Sequence, residues 1–281
     1  MSHGVLAPQR STFASRKTVN GSRGSTTPWV RPADWLPLTT PGASDNRMVG
    51  LAAVFESNSN FVTVRASSAF KVDWGDGAGW NLYAANTTAE KNLQWADYDA
   101  GTLCSRGYRQ AIVTVEPQSG NLTGLELRYR HSNAAASAST SSVWLDLRMS
   151  VTGTPVITGD SLQWAPSWLE TVEIVSPVSS PAFLFRNCYS LQQVPALNTS
   201  SGTNFTSMFQ GCYALQWSDV YGGRYAISYA TADLSAAALD NIYTNLGTAA
   251  GGGQTITVTG NWGTAGHTPS IATAKSWTVA A

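Results

Sequence analysis

Phe185-Arg186-Asn187-Cys188-Tyr189-Ser190-Leu191 returns as Phe209-Gln210-Gly211-Cys212-Tyr213-Ala214-Leu215, with Phe, Cys, Tyr and Leu each recurring at a spacing of 24. Four coincidences at one offset mark an internal repeat. One pass of about two dozen residues cannot bury its own apolar side, so the period predicts stacked passes sharing a continuous core. Short apolar strings follow the same rhythm: Leu122–Leu127, Val143–Leu147, Leu169–Ile174 and Leu191–Leu197. Their centres lie roughly twenty to twenty-seven residues apart, as in repeat solenoids. The expected repeat core is Leu169, Val172, Ile174, Phe185, Cys188, Leu191, Val194, Phe209, Cys212 and Leu215. At a strand spacing of about 4.8 Å, Cys188 and Cys212 should stack. They read as a disulfide, a metal pair or two small buried thiols, and free Cys is most often buried.

Working towards the N-terminus, Val49–Phe55 is one apolar run and Phe61–Ala66 alternates with period two. The turn chemistry of Glu56–Asn60 between them predicts a hairpin. Phe70–Trp74 is a third strand, closed by Gly75-Asp76-Gly77, and Ala111–Val115 is a further one, led by Tyr108. Short strands separated by Gly/Asp turns predict an all-β sandwich. Val72-Asp73-Trp74-Gly75-Asp76-Gly77, then Tyr98-Asp99 and the Tyr108–Val115 strand, resembles the polycystic-kidney-disease (PKD) type of immunoglobulin-like domain. That resemblance covers about residues 47–118 and implies a spacer or adhesion module without catalytic residues. The motif Phe-x-x-Cys-Tyr-x-Leu resembles the irregular leucine-rich repeats of BspA-like surface proteins, over about residues 120–225. The earlier passes lack its Phe/Cys half.

Charged residues make up only 12% of the 281 residues, roughly half the usual share, while 43% are hydrophobic and 11 are Trp. This composition excludes a coiled coil and disfavours a helical bundle or a wholly disordered chain. The net charge of zero is uneven. Arg10, Arg16, Lys17, Arg23 and Arg31 all precede the first acid, Asp34, so a +5 arm joins a −5 remainder. A basic Ser/Thr/Gly-rich tail reads as a solvated tail or as an arm for an acidic partner; nucleic acid is disfavoured. Three prolines in Pro28–Leu38 forbid helix, yet two Trp and two Leu there need burial. That strip should be pinned along a domain or clamped between subunits. Arg10, Arg16, Lys17, Arg23, Trp29, Arg31, Trp35 and Leu36 are therefore the expected anchoring residues, with Trp29 and Trp35 at an inter-subunit or inter-domain contact.

Towards the C-terminus, residues 234, 238, 239, 242, 243 and 246 have helical apolar spacing, with Asp233 as N-cap and Gly247 as the C′ glycine. Gln254–Thr259 reads as a strand, Ser270–Ser276 as a short helix and Trp277–Val279 as a last strand. This unit resembles the closing unit that follows such repeats in phage structural and bacterial surface proteins, and it would cap the solenoid.

No catalytic, phosphate-binding or metal motif is visible, and no cofactor is expected. His131 heads a polar loop over 131–142. Asp73 and Asp76 could form a cation corner, but a tight turn needs the same residues. Trp74, Trp144 and Trp277 read as core rather than as sugar platforms. No stretch reaches the ~18–20 apolar residues of a membrane span, and no secretory signal is expected.

The expected fold is mainly β: an immunoglobulin-like β-sandwich followed by a short irregular leucine-rich-repeat solenoid with an α/β C-terminal cap. Its units are an arm and anchoring segment over 1–46, a PKD-like sandwich over 47–119, a solenoid over 120–225 and a cap over 226–281. The resemblances imply a non-enzymatic structural protein of a tailed-phage particle, as capsid decoration or as tail fibre or adaptor. It would be assembled in the host cytoplasm and located in the virion. Its partners would be capsid or tail subunits and further copies of itself, with a host surface glycan or protein as a possible ligand. A bacterial adhesin and a carbohydrate-binding or carbohydrate-active protein are the competing readings.

Overall fold

The computed structural model describes residues 29–57, 59–133, 143–158 and 168–281. The protein is mainly β. Its main sheet has eight strands in the order β10-β9-β8-β7-β1-β6-β3-β4. These are β1 (Arg47–Val54), β3 (Phe70–Asp73), β4 (Trp80–Tyr83), β6 (Arg109–Pro117), β7 (Trp144–Ser150), β8 (Thr171–Ile174), β9 (Gln193–Asn198) and β10 (Trp217–Tyr221). A second, two-stranded sheet pairs β2 (Phe61–Arg65) with β5 (Thr88–Asn92).

Strand β1 decides the arrangement. Seven of its eight residues are buried, so it is a central strand rather than an edge. It pairs antiparallel with β6 on one side and with β7 on the other. Both edges are therefore taken, and the expected β1–β2 hairpin does not form: β2 pairs with β5 in the opposite sheet. The corner between the sheets is held by Asn60, which is fully buried. Its side-chain amide donates to the carbonyls of Phe55, Ser57 and Leu93 and accepts from the Phe55 amide. A turn-forming Asn thus makes a crossover instead of a hairpin.

Strand β7 is the pivot from antiparallel to parallel pairing. On its far side β8, β9 and β10 follow in parallel. Their registers align apolar side chains into rows: Leu147 with Val172, Met149 with Ile174, Ile174 with Leu197, and Leu197 with Val220, all buried. Opposite runs a second ladder of extended turns, with Phe183, Phe185 and Asn187 amides donating to the carbonyls of Thr206, Met208 and Gln210. Leu122–Leu127 lies in this second layer rather than in the main sheet. It bridges β2 through Arg65–Glu126 and the next pass through Glu126–Val156. Buried residues of the antiparallel strands and of the parallel ladder belong to one continuous core. β6 and β7 both run antiparallel to β1, and the change to parallel pairing comes between β7 and β8.

The two copies of the repeat share a backbone as well as side chains. Asn187 and Gly211 occupy the same position and both are left-handed, at φ 61° and 82°. Asn and Gly are the residues that tolerate this geometry, which is why they alternate there. Each expected core residue from Leu169 to Leu215 is buried. Phe209 stacks between Phe185 at 5.5 Å and Tyr229 at 4.6 Å, so the aromatic row continues one pass beyond the repeat.

The C-terminal unit follows the same path. Helix α1 (Ala236–Asn245) packs against β10, with Ala238, Leu239, Ile242 and Tyr243 buried. Ser235, not Asp233, caps it, accepting from the Ala238 amide at 3.1 Å. Gly247 does not take the left-handed C′ form either; Leu246 ends the helix in extended geometry. Beyond lie β11 (Ile227–Ser228), β12 (Gln254–Thr257), α2 (Ser270–Thr273) and β13 (Trp277–Ala280), with the three strands in a parallel sheet. The cap closes tightly at Gly263, where a Cβ would lie 2.2 Å from the Ala236 backbone nitrogen. Gly263→Ala should lower stability by about 2 kcal/mol or more through backbone displacement. Urea denaturation read by tryptophan fluorescence checks this; an unchanged midpoint would contradict the packing.

Candidate functional site

The strip after the arm is the most elaborated feature of the molecule. Residues 29–46 cross the outer face of the main sheet, turn at Pro32–Trp35 and return to enter β1. Every leg is bonded to the chain's own body. The Trp29 amide donates to Gln216 Oε1 at 3.0 Å and its indole to Glu170 Oε2 at 3.1 Å. Arg31 Nε donates to Asp146 Oδ2 at 2.7 Å, and its other nitrogens bond the carbonyls of Trp35 and Leu36. The Trp35 indole donates to the Tyr108 hydroxyl at 2.9 Å, and the Leu36 amide donates to Gln110 Oε1 at 2.8 Å. On the return leg Arg148 donates to the Leu38 carbonyl, Thr40 to Glu173, and Ser150 to the Ala43 carbonyl.

Charge is matched along this seam. Asp146 is 1% exposed and is flanked by Arg31 and Arg148. Burying such a carboxylate is tolerable only with cationic partners. Glu170 is paired with Arg106, and the guanidinium groups of Arg31 and Arg106 both lie 5.4 Å from the Trp35 ring. Trp35 is 3% exposed and meets Trp29 edge-on at 6.4 Å.

Within one chain, Trp29, Arg31, Trp35 and Leu36 join the β6 side of the main sheet to the β7–β10 side. Their donors and acceptors already find partners at home. Arg31 thereby leaves the count of available arm charge. The basic arm proper is residues 1–28, with Arg10, Arg16, Lys17 and Arg23, and four cations there face 13 cations and 17 acids in the remainder. Those four anchoring residues lie outside the described residues, as does the loop over 134–142.

The other candidates resolve into structural roles. Asp73 accepts from the Gly75 amide at 2.9 Å, and Asp76 accepts from the Ala78 amide at 3.0 Å while pairing with Lys91. Both carboxylates are used by the turn, and no group of three or more metal-ligating side chains occurs among the described residues. Burial alone would raise the Asp76 carboxyl, but the bonds from Lys91 and the Ala78 amide outweigh it and hold the group below the usual carboxylate range. A lowered native pKa contributes stability above the unfolded value, near pH 4, and that stability is lost as pH falls through the native pKa. Asp76→Asn should therefore cost about 0.5–1 kcal/mol at pH 7 and progressively less below pH 4, measured by thermal unfolding across pH.

Cys104, Cys188 and Cys212 are free and buried. Cys212 Sγ donates to the Phe185 carbonyl at 3.0 Å, which also accepts the Cys188 amide. Burial pushes both repeat thiols well above their ordinary pKa. All three should ignore a thiol reagent in the native protein and react on unfolding; native-state labelling of Cys188 or Cys212 would contradict this. His131 is not a solvent loop residue but is buried, stacked on Phe61 at 4.6 Å. Trp74, Trp144 and Trp277 are buried.

The receptors of the strip were not singled out from sequence. Asp146 was the available signal: an acid inside the apolar string Val143–Leu147 must meet a cation. Compared with known family models, with curated proteins and with solved structures, the chain shows no match.

Proposed function

We propose that this chain is a non-enzymatic structural protein of a tailed-phage particle, as capsid decoration or tail fibre or adaptor, attached through its N-terminal arm. On this reading residues 47–119 are an immunoglobulin-like module of PKD type, 120–225 a short leucine-rich-repeat solenoid and 226–281 its cap. The observation that carries the proposal is the strip. A basic 28-residue segment is joined to the body not by a free linker but by a stretch fixed at Trp29, Arg31, Trp35 and Leu36. Such a joint transmits the position of a bound arm to the body, which suits a subunit built into an assembly. Mass spectrometry of purified particles tests the reading. The protein should be present in fixed stoichiometry with the major structural proteins; its absence from particles, or its recovery on the bacterial surface, would overturn it.

A further inference from the structure

The two edges of the main sheet are finished differently. At one edge β10 is covered: helix α1 packs against it, and the Gly222 amide just beyond it donates to the Asn245 carbonyl. At the other edge β4 pairs with β3, and among the described residues no strand pairs with its far side. An open edge presents a row of backbone N–H and C=O groups, and chains that must avoid strand addition blunt it with charge, with proline or with a cover. From Gly77 to Ala89 this sequence has neither a charged residue nor a proline. Three of the four residues of β4 are exposed.

The side chains of the edge are sorted by face. Successive residues of a strand point to opposite faces. Tyr83 stacks on the buried Phe70 at 5.3 Å, and Asn81 shares that face. Trp80 and Leu82 lie together on the other face, 43% and 68% exposed. Lys71 sits over the Trp80 ring at 4.3 Å, but its charge is taken by Glu116 at 3.0 Å. The edge therefore offers apolar and amide groups beside a neutralised pair.

We infer that β4 is an interface and that its occupant is β4 of a second copy of this chain, added antiparallel so that the sheet continues across a two-fold axis. Self-complementarity selects the occupant. A two-fold axis perpendicular to the sheet keeps like faces on the same side, so directly opposed residues come from the same face. The register centred on Asn81 then sets Trp80 against the partner's Leu82 and Leu82 against the partner's Trp80. Centring on Trp80 or on Leu82 would instead leave one of the two against Ala78 or Ala84. In the Asn81 register each exposed apolar side chain of the strand gains a cross-strand partner, and no charge is set against a like charge. A charged segment would find no counter-charge on this strand. Four paired residues make less than a standard interface of about 1,600 Å², so the contact is weak in dilute solution and forms where copies are held close together. It stands or falls independently of the virion reading.

Cysteine cross-linking of the purified full chain tests this contact. The native cysteines are buried, so an introduced surface thiol reports alone. Opposed residues of an antiparallel pair have Cα atoms about 4.5–5.5 Å apart, within reach of a disulfide, and in this register Asn81 opposes itself. Under mild oxidation at high protein concentration, Asn81→Cys should give at least about tenfold more covalent dimer than Ser57→Cys, at an exposed position away from the edge. Adding Trp80→Lys to Asn81→Cys, which removes the indole and sets a charge against the partner's Leu82, should cut that yield about tenfold. Circular dichroism and thermal unfolding check that each variant is folded. If Trp80→Lys disturbs the fold, Leu82→Ser, at a largely exposed side chain, takes its place with the same direction expected. Equal yields from Asn81→Cys and Ser57→Cys would overturn the contact, as would a yield that the edge substitutions leave unchanged. A higher yield from Trp80→Cys or Leu82→Cys than from Asn81→Cys would overturn the register. Each of these results leaves the virion reading intact.

Discussion

Removing residues 1–46 abolishes cooperative folding: that is the expected result of truncation. Among the described residues, the strip's bonds to the body start at Trp29. Without Trp35 the sheet loses a nearly fully buried indole, a loss of about 3–5 kcal/mol for large aromatic side chains. Without Arg31, Asp146 keeps only Arg148, at 3.4 Å, and breaking a buried pair costs about 3–5 kcal/mol. Gln110, Glu173 and Ser150 lose their strip partners as well. Such losses are not additive, but their scale rivals the ~5–15 kcal/mol total stability of a domain. Differential scanning calorimetry of the truncated chain decides the matter. A cooperative transition in the chain beginning at Arg47, near that of the full protein, would show that the strip is ornamental.

Phe209→Ala has the largest expected effect of any single substitution in the repeat, about 3–5 kcal/mol. Phe209 is 2% exposed and is sandwiched by Phe185 and Tyr229, so truncation opens a cavity with aromatic walls on two sides. Neighbouring passes are tied by backbone rungs above and below, which limits collapse into the space. Because the core runs on into the antiparallel strands, the loss should appear as one shifted transition rather than as a separate early one. Urea unfolding followed by tryptophan fluorescence and by far-ultraviolet circular dichroism should give coincident midpoints, both lowered. Separated transitions would mean that the antiparallel strands and the parallel ladder fold as independent units.

Periodicity was legible where one residue pattern answers to one physical need. The offset of 24 predicted the stacking of Phe185 on Phe209, because a repeat that buries its face by stacking must align like with like. Helix α1 and strands β12 and β13 followed from apolar spacing for the same reason. What the chain hides are choices settled by distant partners. Glu56–Asn60 has turn composition whether it closes a hairpin or a crossover, and only the occupation of both β1 edges decides between them. The strip could be recognised as extended and in need of burial, but its receptor could not. Asp146, Glu170 and Gln216 come from three separate passes and converge only once the ladder is built. Tyr189 and Tyr213 recur with the core residues beside them, so the repeat alone cannot tell the outer ring from the inner one.

The central claim is that this chain is a structural subunit of a phage particle. Electron cryomicroscopy of intact particles, at a resolution that separates strands, tests it most directly. The account predicts density for the eight-stranded sheet at regular positions against neighbouring structural proteins. Particles without this density would contradict it.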